Sequence, residues 1–226
     1  MPSPAFNAQG STVQFGQTQG TAITATAGTA ANPVVITATN TTVAGDLVVC
    51  TSSTGQAQLA SRAFIVTAPS GTSFTLFGED GTGRSALTAG TFRPWTLTAV
   101  AGADAFQTAS SGGSANNTID VTTLTSVSKE YVAGLPDSPS LSFTMVPSLR
   151  DATFKYLRTV QKARTTIPIY IKVPNPDTTA TLQSAFFHIC ALGFVQSITE
   201  FSLGVDQPVS AQVQFKCTNG LEIYTN

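Results

Sequence analysis

Apolar and polar residues alternate in short runs along most of this chain. The clearest run is Pro208 to Cys217, where Val209, Ala211, Val213 and Phe215 alternate with Ser210, Gln212, Gln214 and Lys216. A period of two puts one set on a buried face and the other in solvent, so the run predicts a strand of a half-covered sheet. Shorter runs predict strands at Val34 to Ala38, Leu47 to Cys50, Ala63 to Thr67 and Phe74 to Phe77. The breakers between them, Ala44-Gly45-Asp46, Ser53-Thr54-Gly55 and Pro69-Ser70-Gly71, are spaced as in a small antiparallel barrel or sandwich. Further strands are predicted at Trp95 to Val100, Ile119 to Leu124, Leu141 to Val146, Thr166 to Val173, Ala185 to Phe194 and Gln196 to Leu203.

One segment has helical spacing. Ser148 is placed to cap it, Asp151 follows three residues later as in a capping box, and Phe154, Leu157 and Val160 or Gln161 recur along one face. The other face carries Lys155, Arg158 and Lys162. Residues 1–32 are rich in Gln, Thr, Ala and Gly with one alternating run, Val13-Gln14-Phe15, and predict an extended arm that orders against a neighbour. Ser110 to Asn117 predicts a Gly/Ser loop that stays flexible until something docks on it. These shifts divide the chain into an arm with a candidate first core strand (1–32), a small β module that is inserted or projecting (33–92), and a main core (93–226). The expected fold is mainly β: a sandwich or barrel core with one flanking α-helix, plus the small all-β module.

Composition sharpens this. Ser and Thr together make up about a quarter of the 226 residues and only 10% are charged, which favours pleated surfaces and leaves uncharged area for burial between subunits. The net charge of −1 lacks the basic footprint that a nucleic-acid binder needs to neutralise phosphates. No apolar stretch reaches membrane-spanning length, and the first residues have neither a basic nor an apolar leader region, so a soluble product not exported by that route is expected.

Candidate chemistry is sparse. His188 and Cys190, two apart, share a strand face and in principle make a dyad, but the surrounding Phe186-Phe187-His188-Ile189-Cys190-Ala191 favours a core or interface position. Cys50, Cys190 and Cys217 lack metal-type spacing and read as buried thiols of a reducing compartment, with a metal or disulfide role as the alternative. Gly78-Glu79-Asp80-Gly81-Thr82-Gly83 lacks the Lys-Ser/Thr of a phosphate loop and reads as a hairpin turn. The acids are otherwise singletons, which disfavours paired-carboxylate hydrolysis, and no residue is nominated as catalytic or as a cofactor or metal ligand. Arg150 to Arg164 holds five cations and one acid, read as a solvated helix face whose cations lie near the negative end of the helix dipole.

Between Ile119 and Pro147, Val121-Thr122-Thr123-Leu124, Tyr131-Val132-Ala133-Gly134-Leu135 and Leu141-Ser142-Phe143-Thr144-Met145 follow one another as a strand end, a V-A-G-L turn and an alternating strand. This segment resembles one that recurs in the tail tube, or major tail, proteins of long-tailed bacteriophages. The likeness runs over residues 96–226, taking in Val173-Pro174-Asn175-Pro176 and Asn219-Gly220-Leu221-Glu222. Gly45-Asp46-Leu47-Val48 and Ser73-Phe74-Thr75-Leu76 are similar to parts of a small β module of phage tail and baseplate proteins. In the family an early strand lies near the 96–124 region, whereas here roughly 60 residues intervene, hence the reading of 33–92 as an insertion. The resemblance implies a structural virion protein of the phage tail, assembled in the host cytoplasm, whose hexameric rings stack into a hollow conduit for DNA. It implies partners in copies of itself and in other tail proteins at the tube ends, with genomic DNA passing transiently without specific binding, and no membrane. Tyr131, Val132, Leu135 and Pro136 are the expected subunit or ring contacts, because exposed they would waste apolar area. The ring-to-ring joint is expected to use Thr125 to Asp137 and the terminal arms. A receptor- or carbohydrate-binding tail module is the alternative, and it predicts an exposed aromatic cleft.

Overall fold

A computed structural model describes residues 10–98, 106–113, 116–123, 127–145, 152–174, 186–202 and 210–224. Among the described residues the fold is mainly β, with one α-helix, a short 3-10 turn at Ala57–Leu59 and a large antiparallel sheet. Its strands are β1 (Thr12–Gln19), β2 (Ile23–Ala25), β3 (Ala27–Gly28), β4 (Val35–Thr37), β5 (Leu47–Thr54), β6 (Arg62–Ser70), β7 (Ser73–Leu76) and β8 (Ala89–Leu97). There follow β9 (Phe106–Gly112), β10 (Asn116–Asp120), β11 (Tyr131–Pro136), β12 (Ser140–Met145), helix α1 (Ala152–Ala163), β13 (Ile167–Pro174), β14 (Phe186–Ser202), β15 (Ser210–Cys217) and β16 (Glu222–Tyr224). The 14-stranded sheet runs β3-β4-β7-β6-β5-β8-β1-β13-β14-β15-β12-β9, with β2 on β8 and β16 on β14, while β10 and β11 pair with each other and, among the described residues, with no other strand.

Two hydrophobic cores hang on this sheet. The first gathers Ile36, Leu47, Phe64, Leu76, Phe92 and their neighbours from β2 to β8. The second gathers Phe15, Phe143, Leu157, Ile169, Val213 and Phe215. The period of two decides how they join. On β13, Ile167, Ile169 and Ile171 face the second core, while Tyr170 faces the first together with Cys190 of β14 and Tyr224 of β16. The backs of β13, β14 and β16 thus cover the first core. In the second core Phe15 meets Phe143 edge-on at 6.0 Å and Phe215 at 6.4 Å, an arrangement that suits the ring quadrupoles.

Several expectations change. The first core strand anticipated around Val13-Gln14-Phe15 is present as β1, but the segment orders within this chain's own sheet, pairing Thr12–Phe15 with β13 and Gly16–Gln19 with β8. Residues 110–112 of the expected Gly/Ser loop belong to β9, whose ladder with β12 runs from Phe106 to Gly112. The 92/93 boundary falls within β8, and the first core takes in Ile23 and Ala25 as well as Tyr170, Cys190 and Tyr224. Cutting out 33–92 would therefore uncover the back of β13, β14 and β16. Gly78 to Gly83 is not a hairpin turn, because β7 and β8 are separated in the sheet by β6 and β5. Ser148, Asp151, Leu124, Asn175 and Pro176 lie outside the described residues.

Helix α1 buries Phe154, Leu157 and Val160 at helical spacing. It ends when Arg164 turns left-handed (φ 54), so that Arg164 N–H reaches Gln161 O and Thr165 N–H reaches Val160 O, satisfying two terminal carbonyls. The two strands expected at Ala185 to Phe194 and Gln196 to Leu203 are one, the 17-residue β14. Its ladder with β15 shifts register between Val195 and Ser197, and just before that shift Gly193 lets β15 approach closely. A Cβ there would lie 2.2 Å from the Lys216 carbonyl and 2.6 Å from the Phe215 ring, so β15 comes this close only against glycine. Gly193→Ala is expected to cost about 1–3 kcal/mol through overpacking, read as a lower urea midpoint at unchanged slope.

Candidate assembly interface

The β10–β11 ribbon carries the residues singled out above. Thr118 faces Ala133, Ile119 faces Val132 and Asp120 faces Tyr131, with Pro136 opposite Asn116 beyond a register shift. The Tyr131 to Leu135 segment, expected as a turn, is therefore a strand. Gly134 misled that reading, since glycine marks turns more often than strand interiors.

The ribbon is stabilised locally. Val121 N–H donates to Glu130 O at 3.0 Å, Thr122 N–H to the Asp120 carboxylate at 2.9 Å, and Glu130 N–H to the Thr122 hydroxyl at 3.0 Å. The hydrogen bonds from Thr122 hold the Asp120 carboxyl below its usual range. At the ribbon's base Asp137 meets Lys216 of β15 at 2.9 Å, and that contact lowers the Asp137 carboxyl in the same way.

What the ribbon does not do is bury its apolar side chains. Leu135 is 87% exposed, Tyr131 55%, and Val132 and Ile119 52% each, with Val121 and Val127 exposed as well. Cross-strand partners share a face, so Ile119 and Val132 lie on one side and Tyr131 with Asp120 on the other. Apolar groups thus face water on both sides. Among the described residues the other exposed large hydrophobics are Val43, Phe194 and Ile223, and single exposed apolar residues of this kind are ordinary.

Beside the ribbon, β9 forms one end of the large sheet. One flank pairs with β12, and Thr108 to Gly112 are exposed. An unpaired strand flank offers a row of backbone donors and acceptors to another chain. Small polar residues there give it little apolar area of its own.

His188 and the three thiols are buried. The His188 Nδ1 is held by the Tyr170 hydroxyl at 2.6 Å, the two rings stack, and Phe77 meets His188 edge-on at 5.0 Å. Burial pushes the Cys50 thiol up to about 12 and the Cys217 thiol up to about 11, and raises Cys190 as well. Such thiols stay protonated and inert. Among the described residues no three His, Cys, Asp or Glu side chains group as a metal site, and no helix is long and apolar enough to cross a membrane.

Two open clefts of about 450 and 440 Å³ lie on the surface. One is formed by Ser111 to Gly113, Asp137 to Pro139, Gly220 and Leu221, the other by Thr24, Thr26, Thr37, Ala38, Thr39 and Thr72. Neither contains an aromatic ring or paired carboxylates. Compared with known proteins, the chain matches no family model and no curated protein sequence.

Missing from the sequence reading was an ionic cluster between the cores. Arg62 of β6 makes a two-pronged pair with Glu79 at 2.7 and 3.0 Å, and donates to the Tyr224 hydroxyl at 3.3 Å. Its Nε lies 3.0 Å from Glu222, close enough for charge attraction although off the N–H axis. Burial, the largest single influence, would lower the guanidinium pKa, but Glu79, Tyr224 and Glu222 together outweigh it and the pKa is raised.

Proposed function

We propose that this chain is a self-assembling structural subunit, a tail tube protein of a long-tailed bacteriophage, forming hexameric rings that stack into a hollow conduit for DNA. The observation that carries the reading is the ribbon, whose apolar residues are exposed on both faces. At roughly 25 cal/mol per Å², covering them is a substantial driving force for association. Of the segments that resemble the tail tube family, Tyr131 to Leu135 lies on this ribbon and Leu141 to Met145 on β12. The flank of β9 away from β12, which pairs with no strand among the described residues, supports head-to-tail contacts, which close into rings or propagate into fibres.

In this reading Tyr131, Val132, Leu135 and Pro136 lie at a subunit or ring contact. Lys155 and Lys162, exposed on α1, together with Arg158, face away from the bore, since cations repeated around every ring would hold the passing DNA by releasing its counterions. The virion tail is then its location, with other tail proteins at the tube ends as further partners. The alternative of a receptor- or carbohydrate-binding module draws support from Thr-rich surface, such as the cleft formed by Thr24, Thr26, Thr37, Thr39 and Thr72.

Light scattering over a dilution series tests the reading. Open-ended growth with concentration is expected; a monodisperse species at every concentration contradicts it.

A further inference from the structure

Two cores hung on one continuous sheet need something to fix the angle between them. The main chain alone does this poorly. β1 changes partner at Gly16, from β13 to β8, and the β1–β8 ladder shifts register between Gly16 and Thr18. A Cβ at Gly16 would lie 2.6 Å from the Pro168 ring and 2.8 Å from Trp95, so this crossing point accepts only glycine. A bulged, glycine-centred switch of partners is a place where a strand bends.

The second tie is of a different kind. β16 is three residues long and sits near the chain end, hydrogen-bonded to β14 through His188–Cys190. It reaches into the other core. Glu222 lies 3.0 Å from Arg62, and Tyr224 is buried against Phe64 at 6.2 Å between ring centroids. The Asn219 amide just before it donates to Ser61 O at 2.7 Å. Arg62, Phe64 and Ser61 all belong to the first core's β6 or the turn before it.

We infer that β16 is a clasp: the C-terminal strand, anchored on the second core's β14, grips β6 through Asn219, Glu222 and Tyr224 and sets the angle of the first core about the β1 crossing at Gly16. The chemistry suits a positional role. Apolar contact between the cores, such as Phe77 against His188, tolerates sliding, whereas an ion pair and directed hydrogen bonds have one geometry and specify one orientation. This inference does not depend on whether the chain assembles.

Spin labels on Val43→Cys in the first core and Ala163→Cys at the end of α1 read the angle directly, in dilute full-length subunits. Both positions are exposed, and the native Cys50, Cys190 and Cys217 are buried, so label goes to the introduced thiols. The parent should give one narrow distance. A chain ending at Thr218 should lose that single distance and show a broad one, while amide exchange protection in β6 and β12 is retained. Asn219→Ala with Glu222→Gln, which keeps the chain at full length, should broaden the distance in the same direction and guards against misfolding of the truncation. An unchanged narrow distance in both variants would overturn the clasp. So would simultaneous loss of protection in β6 and β12, since β16 would then be one part of a single cooperative unit.

Discussion

Glu79→Leu is expected to cost the fold about 3 kcal/mol, the low end of the range for breaking a buried ion pair. Arg62 and Glu79 are only 15% and 7% exposed, so the substitution leaves a guanidinium largely out of water. Glu222, 3.0 Å from Arg62, still offsets part of that charge, which is why the low end applies. The comparison that isolates the charge is Arg62→Met combined with Glu79→Leu. Replacing both partners by apolar groups removes the desolvation penalty along with the attraction, so the double variant should unfold near the parent's midpoint. Urea titration of the three proteins decides it. Equal losses in the single and double variants would mean that packing, rather than the unpaired charge, carries the effect.

Leu135→Asp should abolish polymer growth while leaving the monomer folded. At 87% exposure Leu135 contributes little to the monomer, and a surface change of this kind shifts stability by about 0.5 kcal/mol or less. In an assembled contact the same change would bury an unpaired carboxylate, which is far costlier than the lost apolar area. Val43→Lys is the control, since Val43 is 61% exposed but lies off the ribbon. It should polymerise like the parent. If Leu135→Asp polymerises as well, the ribbon is not the contact.

Much of the fold was legible where side chains alternate over a half-buried surface. β15 and β12 lie within a residue or two of the predicted bounds, and α1 shows the expected buried face of Phe154, Leu157 and Val160. What stayed hidden depends on partners far away in sequence. β1 offers only Val13 and Phe15 as large apolar residues, and its place in the sheet comes from ladders to residues near 96 and 170. β16 is too short for a periodic signal. Gly193 and Gly134 look like breakers locally, whereas the first permits the close approach of β15 and the second lies inside β11. Glu79 resembled a turn residue because nothing nearby in sequence reveals that Arg62, 17 positions away, is its partner. The four proposed contact residues are nominated because they are apolar in a segment where exposure would waste that area. Their strand conformation could not be read in the same way, since glycine and proline in so short a run argue for a turn.

Negative-stain electron microscopy of the concentrated protein tests the assembly reading most directly. Stacked rings should give tubes of uniform bore whose length grows with concentration and whose width does not. Discrete particles of one size at every concentration would contradict the account.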